Sequence, residues 1–222
     1  MMDTAVLRSS KPSSYSAEPC RAAYFDCEQG TDEWLALRLG VVTASNFGRV
    51  LTRGQGVTRK SYLMQLASEH LTQQPTKIVT SEAMRWGTEN EAQARTAYEF
   101  HKGTEVCESG FFLLDCNAGC SPDGLIGTDG LLEIKCPNTA THLEAVLSRG
   151  MPSKYKAQVQ GQLWVTGRSW CDFVSYDPRI RTAADFFCTR VYRDEAYIEE
   201  LEASIYSFNQ ELESVLERLR FS

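Results

Sequence analysis

Between Thr104 and Cys136 the hydrophobic period of the chain changes from helical to alternating, and this switch limits the possible folds more than any other feature. Residues 104–114, 118–126 and 130–136 form three consecutive strand-like segments, separated by Asp115-Cys-Asn and Gly127-Thr-Asp-Gly turns. Helical patterns precede them. Residues 31–40 have an acidic first turn and a glycine stop, and Thr43 or Ser45 can cap residues 46–51. Thr58 opens a longer helix with Tyr62, Leu63, Leu66, Ala67 and His70 on one stripe. Residues 81–101 predict another, with Met84, Trp86, Ala94, Ala97 and Tyr98 facing inward and Gly103 ending it. After Pro137 come helices over 139–147 and 153–165, strands over 169–176 and 184–192, and an acidic amphipathic helix over 194–219. This order implies one α/β domain with a central mixed β-sheet flanked by helices, without an internal repeat or linker.

Composition excludes several classes. At 222 residues and 42% hydrophobic content the chain can bury a sizeable core, so global disorder is excluded. Its mean hydropathy is −0.33, and no apolar run approaches the roughly 18–20 residues needed to cross a bilayer, so no membrane association is expected. The first nineteen residues contain no secretory-type apolar stretch and read as a flexible tail, drawn as 1–22 ahead of a single domain over 23–222. Eight cysteines without a Cys-x-x-Cys pair argue for reduced thiols in a cytoplasmic setting and against a zinc site. The net charge of −6 disfavours a nonspecific nucleic-acid coat, but its distribution is uneven. Five basic residues and no acid lie between Arg38 and Lys60, and four bases and no acid between Ser148 and Trp170. Eight acids fall between Asp194 and Glu217, so a basic groove can coexist with an acidic C-terminal face.

The chemically informative segment is Ser121-Pro-Asp-Gly124, followed by Glu133-Ile-Lys135. In a strand Glu133 and Lys135 project from one face and Ile134 from the other. A hairpin can bring Asp123 beside Glu133, and converging carboxylates repel unless a cation lies between them. Hard oxygen ligands favour magnesium or manganese. An adjacent lysine can hold or deprotonate the attacking water and offset charge in a phosphorane-like transition state, which suits phosphodiester hydrolysis. The alternative is a simple Glu133–Lys135 ion pair on an edge strand. The apolar flanks, Leu131-Leu132 and Cys136-Pro137, weigh against it.

Ser121-Pro-Asp-Gly-Leu, Leu132-Glu-Ile-Lys-Cys-Pro137 and Ala157-Gln-Val-Gln160 resemble the PD-(D/E)xK nuclease superfamily, and specifically the phage lambda exonuclease (YqaJ-type viral recombinase) family. Residues 34–45, Trp86-Gly-Thr-Glu-Asn-Glu91 with Ala94-Arg95, Leu163-Trp-Val-Thr166 and Tyr176-Asp-Pro-Arg179 extend the likeness in the same order. The resemblance implies a restriction-endonuclease-like core and a 5′-to-3′ exonuclease that digests one strand of linear double-stranded DNA, leaving a 3′ single-stranded tail. It implies Mg2+, with Mn2+ as a substitute and two ions per site, a ring-shaped homotrimer, and a single-strand annealing protein as recombination partner. Carried over by position, Asp123, Glu133 and the main-chain carbonyl of Ile134 are metal ligands and Lys135 is the catalytic lysine. Gln158 lies near the attacking water and Glu91 near the metals. Arg38, Ser45 and Ser121 form a pocket for the 5′-phosphate, in keeping with the acid-free stretch around the first two.

Several positions keep ordinary alternatives. Ser45 can simply cap its helix and Arg38 can lie over a helix end. Lys154 and Lys156 can touch phosphates or line a solvated helix face. Trp34 and Trp86 read as core anchors, and Met84 as helix core or as a wedge under the terminal base pair. His70, His101 and His142 lack ligand spacing. Glu89 and Glu91 point about 200° apart on a helix, so only one can face the metals. Two competing functions remain: a structure-specific or helicase-linked endonuclease, for which the cysteine spacing fits an iron–sulfur cluster poorly, and a catalytically silent DNA-binding recombination adaptor.

Overall fold

The computed structural model describes residues 20–52, 56–76 and 81–220. Residues 1–19, most of the expected tail, and Arg53 of the basic stretch lie outside the described residues. Within the range assigned to the tail, Ala22 already opens strand β1 (Ala22–Phe25) and pairs with Leu114.

Helix α1 (Asp32–Arg38) starts where the Thr31 hydroxyl accepts the Trp34 amide. Strand β2 (Val42–Thr43) follows, then a 3-10 turn (Ala44–Asn46) and the one-turn helix α2 (Phe47–Val50). Helix α3 (Val57–Thr72) starts one residue ahead of Thr58, with Gly56 at its N-cap, and buries Tyr62, Leu63, Leu66 and Ala67 of the expected stripe while His70 stays half-buried. Helix α4 (Glu82–Lys102) is capped by Ser81 and ends on Gly103 in the left-handed conformation. Its Ala94 and Tyr98 are buried as expected, whereas Met84 is exposed: it lies in the first turn, ahead of the stretch that packs on a sheet.

The expected single sheet is two four-stranded sheets. The first orders β1–β3–β4–β2, with β3 at Phe111–Leu114 and β4 at Ala118–Cys120; the second orders β5–β6–β7–β8, with β5 at Gly124–Ile126 and β6 at Gly130–Lys135. Strands β7 (Trp170–Tyr176) and β8 (Phe186–Tyr192) complete it. The expected strand over 118–126 breaks at Ser121-Pro122-Asp123, where proline has no amide to donate and the chain passes from one sheet to the other. The segment over 104–114 is also shorter than expected. Val106 gives its amide to the Glu99 side chain and only Cys107 bridges to Leu125, so regular pairing begins at Phe111.

In the second sheet β5 and β6 are antiparallel, β6 and β7 parallel, and β7 and β8 antiparallel. Helix α4 covers one face through Ala94 and Tyr98 on Leu132, Ile134 and Val174. Helix α6 (Lys156–Thr166) covers the other through Val159 and Leu163 on Leu131, Cys171 and Phe173. It approaches α2 so closely that a Cβ at Gly161 would collide with the Phe47 ring. Helix α5 (Thr139–Ser148) is tied to β7 by buried His142, whose Nδ1 lies 2.8 Å from Ser175 Oγ. Helix α7 (Glu195–Arg220) buries Leu201, Ile205, Phe208 and Leu212 against the core of α2, α3 and the first sheet.

Candidate active site

Alternation along β6 gives each residue its surroundings. Leu132 and Ile134 belong to the layer beneath α4, while Leu131, Glu133 and Lys135 face α6. A carboxylate at 133 therefore replaces an apolar side chain in a packed layer, and it has no exposure. Strand β6 lies between β5 and β7, so the acid–base pair is not on an edge. Glu133 is held from three sides. Gln158 Nε2 donates to Oε1 at 2.6 Å, Gln162 Nε2 donates to Oε2 at 2.6 Å, and the Lys135 ammonium pairs with Oε1. Charge-assisted bonds of this kind are what a buried carboxylate needs to stay ionised.

Asp123 arrives from the hairpin. Continuing the β5–β6 register by one residue sets it opposite Glu133, with its amide bonded to Leu132 O at 3.1 Å and its Oδ2 accepting the Ile134 amide at 2.6 Å. A Cβ at Gly124 would strike Val106, so the residue after Asp123 must be small for the turn to pack. Burial pushes the Asp123 carboxyl well above the usual range, and the charges of Glu133 and Glu91 push it the same way against Lys135. Burial also raises Glu91; Arg95 opposes the rise and Glu133 adds to it. For Lys135 burial favours the neutral amine, but the Glu133 and Asp123 carboxylates more than reverse this and raise its pKa. The structure therefore brings Asp123, Glu133, Lys135, Gln158 and Glu91 into one electrostatic neighbourhood. Glu89 is exposed and borders a different cavity, with Trp86, Cys136 and Arg179.

These groups fit a divalent cation. The charge of Glu133 makes Asp123 and Glu91 each harder to ionise, carboxylate oxygens are hard ligands, and one ammonium offsets only part of the charge. Beside Asp123 and Glu91 a cleft of about 740 Å³ opens, also lined by Trp34, Arg95, Glu108 and Ser109.

Of the three residues expected to hold a phosphate, Arg38 and Ser121 both meet Trp34. Trp34 Nε1 donates to Ser121 Oγ at 2.7 Å, and the Arg38 guanidinium lies 4.0 Å above the Trp34 ring. Among the described residues Arg38 forms no ion pair. Thr43 pairs with Gly119 in parallel, so Ser45 and Ser121 lie at corresponding positions past the same ends of neighbouring strands. Ser45 caps no helix: it is exposed, inside the 3-10 turn, with its Oγ 3.4 Å from Thr43 Oγ1. Lys154 is exposed, 5.0 Å from the Tyr155 ring that Lys135 also approaches at 5.5 Å. Lys156 is directed elsewhere, paired with Asp194 at 3.0 Å and lying over Tyr197.

Three features escape sequence reading. Gln162 stands one helical turn from Gln158 on the face that meets Glu133, and its recurrence at i+4 within an apolar helix was the available signal. Buried Asp172 receives Arg190 at 2.8 and 2.9 Å and Tyr98 at 2.8 Å; buried Asp177 receives Arg179 and Thr139. Neither acid has a local partner pattern that singles it out, except the Asp177–Arg179 spacing.

A hairpin aspartate, a buried glutamate and a lysine two residues on, in a mixed sheet between helices, define a nuclease of the restriction-endonuclease-like type. The chain belongs to the YqaJ-like viral recombinase domain family, whose sequence profile matches residues 33–169. Among solved structures it is similar to an alkaline exonuclease from Laribacter hongkongensis, at 43% identity and a TM-score of 0.80, covering 86% of this chain and 96% of that one. The same protein has been solved in complex with dAMP, with the same likeness. A phage-related exonuclease from Haemophilus somnus 129PT shares the fold at 13% identity and a TM-score of 0.67, over 81% of this chain and 96% of that one. No curated protein sequence matches significantly.

Proposed function

We propose that the protein is a Mg2+-dependent exonuclease that digests the 5′-ended strand of linear double-stranded DNA and leaves 3′ single-stranded tails. The observation carrying this reading is the fully buried Glu133, braced by two glutamines and paired with Lys135, across a hairpin from Asp123. The likeness to the Laribacter alkaline exonuclease supports the end-dependent activity. Asp123, Glu133 and the Ile134 carbonyl would hold the divalent cations, two per site, with Glu91 nearby and Mn2+ able to replace Mg2+. When bound, the cation supplies Lewis-acid activation of water and neutralisation of charge on the scissile phosphate. The Lys135 ammonium remains charged beside the attacked phosphorus and offsets charge that develops there. Gln158 and Gln162 fix the Glu133 carboxylate so that it need not reorganise during the reaction, and Gln158, the nearer to the solvent edge, also orients the attacking water.

The cleft beside Glu91 and Asp123 admits the DNA, and Arg38 with Ser45 and Ser121 holds a 5′-phosphate beyond the cut nucleotide. Lys154 contacts the backbone. A ring-shaped homotrimer, a single-strand annealing partner and action in the cytoplasm complete the proposal. The test is digestion of a linear duplex labelled separately at each 5′ and 3′ end, with and without Mg2+. The reading requires early release of 5′ label only with Mg2+; early release of 3′ label or cutting of covalently closed circles overturns it.

A further inference from the structure

A second cluster of metal-ligating side chains lies away from the carboxylates of β6. The β1–β3 ladder pairs Ala22 with Leu114, and the Asp115 amide donates to Arg21 O at 3.1 Å just beyond it. Just past the end of that ladder, Cys20 comes alongside Cys116 in the turn that follows β3. The Asp115 carboxylate turns toward the same place, its Oδ1 accepting the Arg21 amide at 3.2 Å. One ligand atom each from Cys20, Asp115 and Cys116 fall within 4.8 Å of one another, and among the described residues no other group of three His, Cys, Asp or Glu does so. Two sulfurs on a tetrahedral zinc ion stand about 3.8 Å apart, given Zn–S bonds of ~2.3 Å, so the cluster needs only a small contraction to close on an ion.

The surroundings hold these ligands in place. Both cysteines pack against the main hydrophobic core, and Asn209 of α7 donates to the Cys116 carbonyl at 2.8 Å, fixing the β3–β4 turn. Glu202 on the same helix adds its negative charge near Cys20. We propose that Cys20, Asp115 and Cys116 form a structural site for a soft divalent cation of the zinc class, which rivets the edge strand β1 to the β3–β4 turn. Thiolate ligands select such an ion over magnesium, so the site is chemically separate from the oxygen ligands of the nuclease centre. Cysteine spacing could not reveal it, because its ligands come from two segments that meet only through the antiparallel ladder.

The test is a Co2+ titration of the metal-stripped, reduced protein, followed by Zn2+ displacement in excess Mg2+. The expected result is one thiolate-bound ion per chain, seen as a thiolate-to-cobalt charge-transfer absorption that is lost on adding Zn2+ but not Mg2+. Cys20→Ser and Cys116→Ser should each weaken binding more than about tenfold and abolish the absorption, with Mg2+-dependent DNA digestion retained as the sign of a folded chain. Absence of the absorption in the wild-type protein overturns the proposal, as does its persistence in both variants. Should the variants fail to fold, alkylation of wild-type Cys20 and Cys116, mapped by peptide mass, decides. Zn2+ should slow it more than about tenfold, and an unchanged rate overturns the proposal.

Discussion

Replacing Lys135 with alanine separates the chemistry of the site from its contribution to stability. Removing one partner of a buried ion pair can cost ~3–5 kcal/mol because the other charge is stranded. Glu133 would not be stranded completely: it keeps Gln158 and Gln162 at 2.6 Å each, and Lys135 is itself 26% exposed. The expected loss of stability is therefore ~1–3 kcal/mol, within the ~5–15 kcal/mol of a typical domain, and the variant stays folded at 25 °C. Catalysis is affected differently. An ammonium offsetting charge in a water-excluded site contributes on the order of 10²–10³ in rate, about 3–4 kcal/mol, and none of that is replaced by alanine. The assay is Mg2+-dependent digestion of end-labelled linear duplex under single-turnover conditions, alongside urea denaturation and DNA binding. A rate reduced at least about a hundredfold, in a folded variant that still binds duplex, is the expected outcome. A wild-type rate from folded Lys135→Ala would refute the assignment.

Arg38→Ala should reduce the preference for 5′-phosphorylated over 5′-hydroxyl ends, because its guanidinium lies on Trp34 next to Ser121 without an ion-pair partner among the described residues; an unchanged ratio of the two digestion rates removes it from the pocket. For Asp177, burial pushes the carboxyl up, and the bonds from Arg179 and Thr139 more than reverse this, to about 2. A depressed carboxyl stabilises the fold above its unfolded pKa of about 3.9 and loses that contribution as pH falls through its folded value. Acid unfolding between about pH 4 and 2 should therefore flatten in Asp177→Asn, by about 1 kcal/mol after allowing for solvent screening of the half-exposed Arg179; identical pH dependence in the two proteins contradicts it.

The sequence made the chemistry of β6 legible because strand alternation and apolar flanks are local. Glu133 and Lys135 share a face in any β conformation, and a charged pair between Leu132 and Cys136 has few structural reasons to exist. Helices α3 through α7 were legible for the same reason, since their apolar stripes lie within single segments, although α3 and α6 start without a capping side chain and their first residues were misplaced. The division into two sheets was not, because it depends on Pro122 interrupting an otherwise continuous apolar alternation and on short strands such as β2 that pair only across long separations. Tyr98 with Asp172 and the Cys20–Cys116 approach were hidden likewise: each is a contact between distant segments, which one sequence does not encode as a pattern, whereas Gln162 left a signal in its i+4 spacing from Gln158. Lys156 shows the converse. Its position in a basic stretch points to phosphate, yet the packing of α6 against the start of α7 directs its amine to Asp194.

Whether the hairpin carboxylates grip a divalent cation is decided by anomalous diffraction from crystals equilibrated with Mn2+. A manganese peak in contact with Asp123 and Glu133, absent in Asp123→Asn, is the predicted result. Manganese bound elsewhere on the chain, with no density between those two side chains, would mean that Asp123 and Glu133 do not hold the ion.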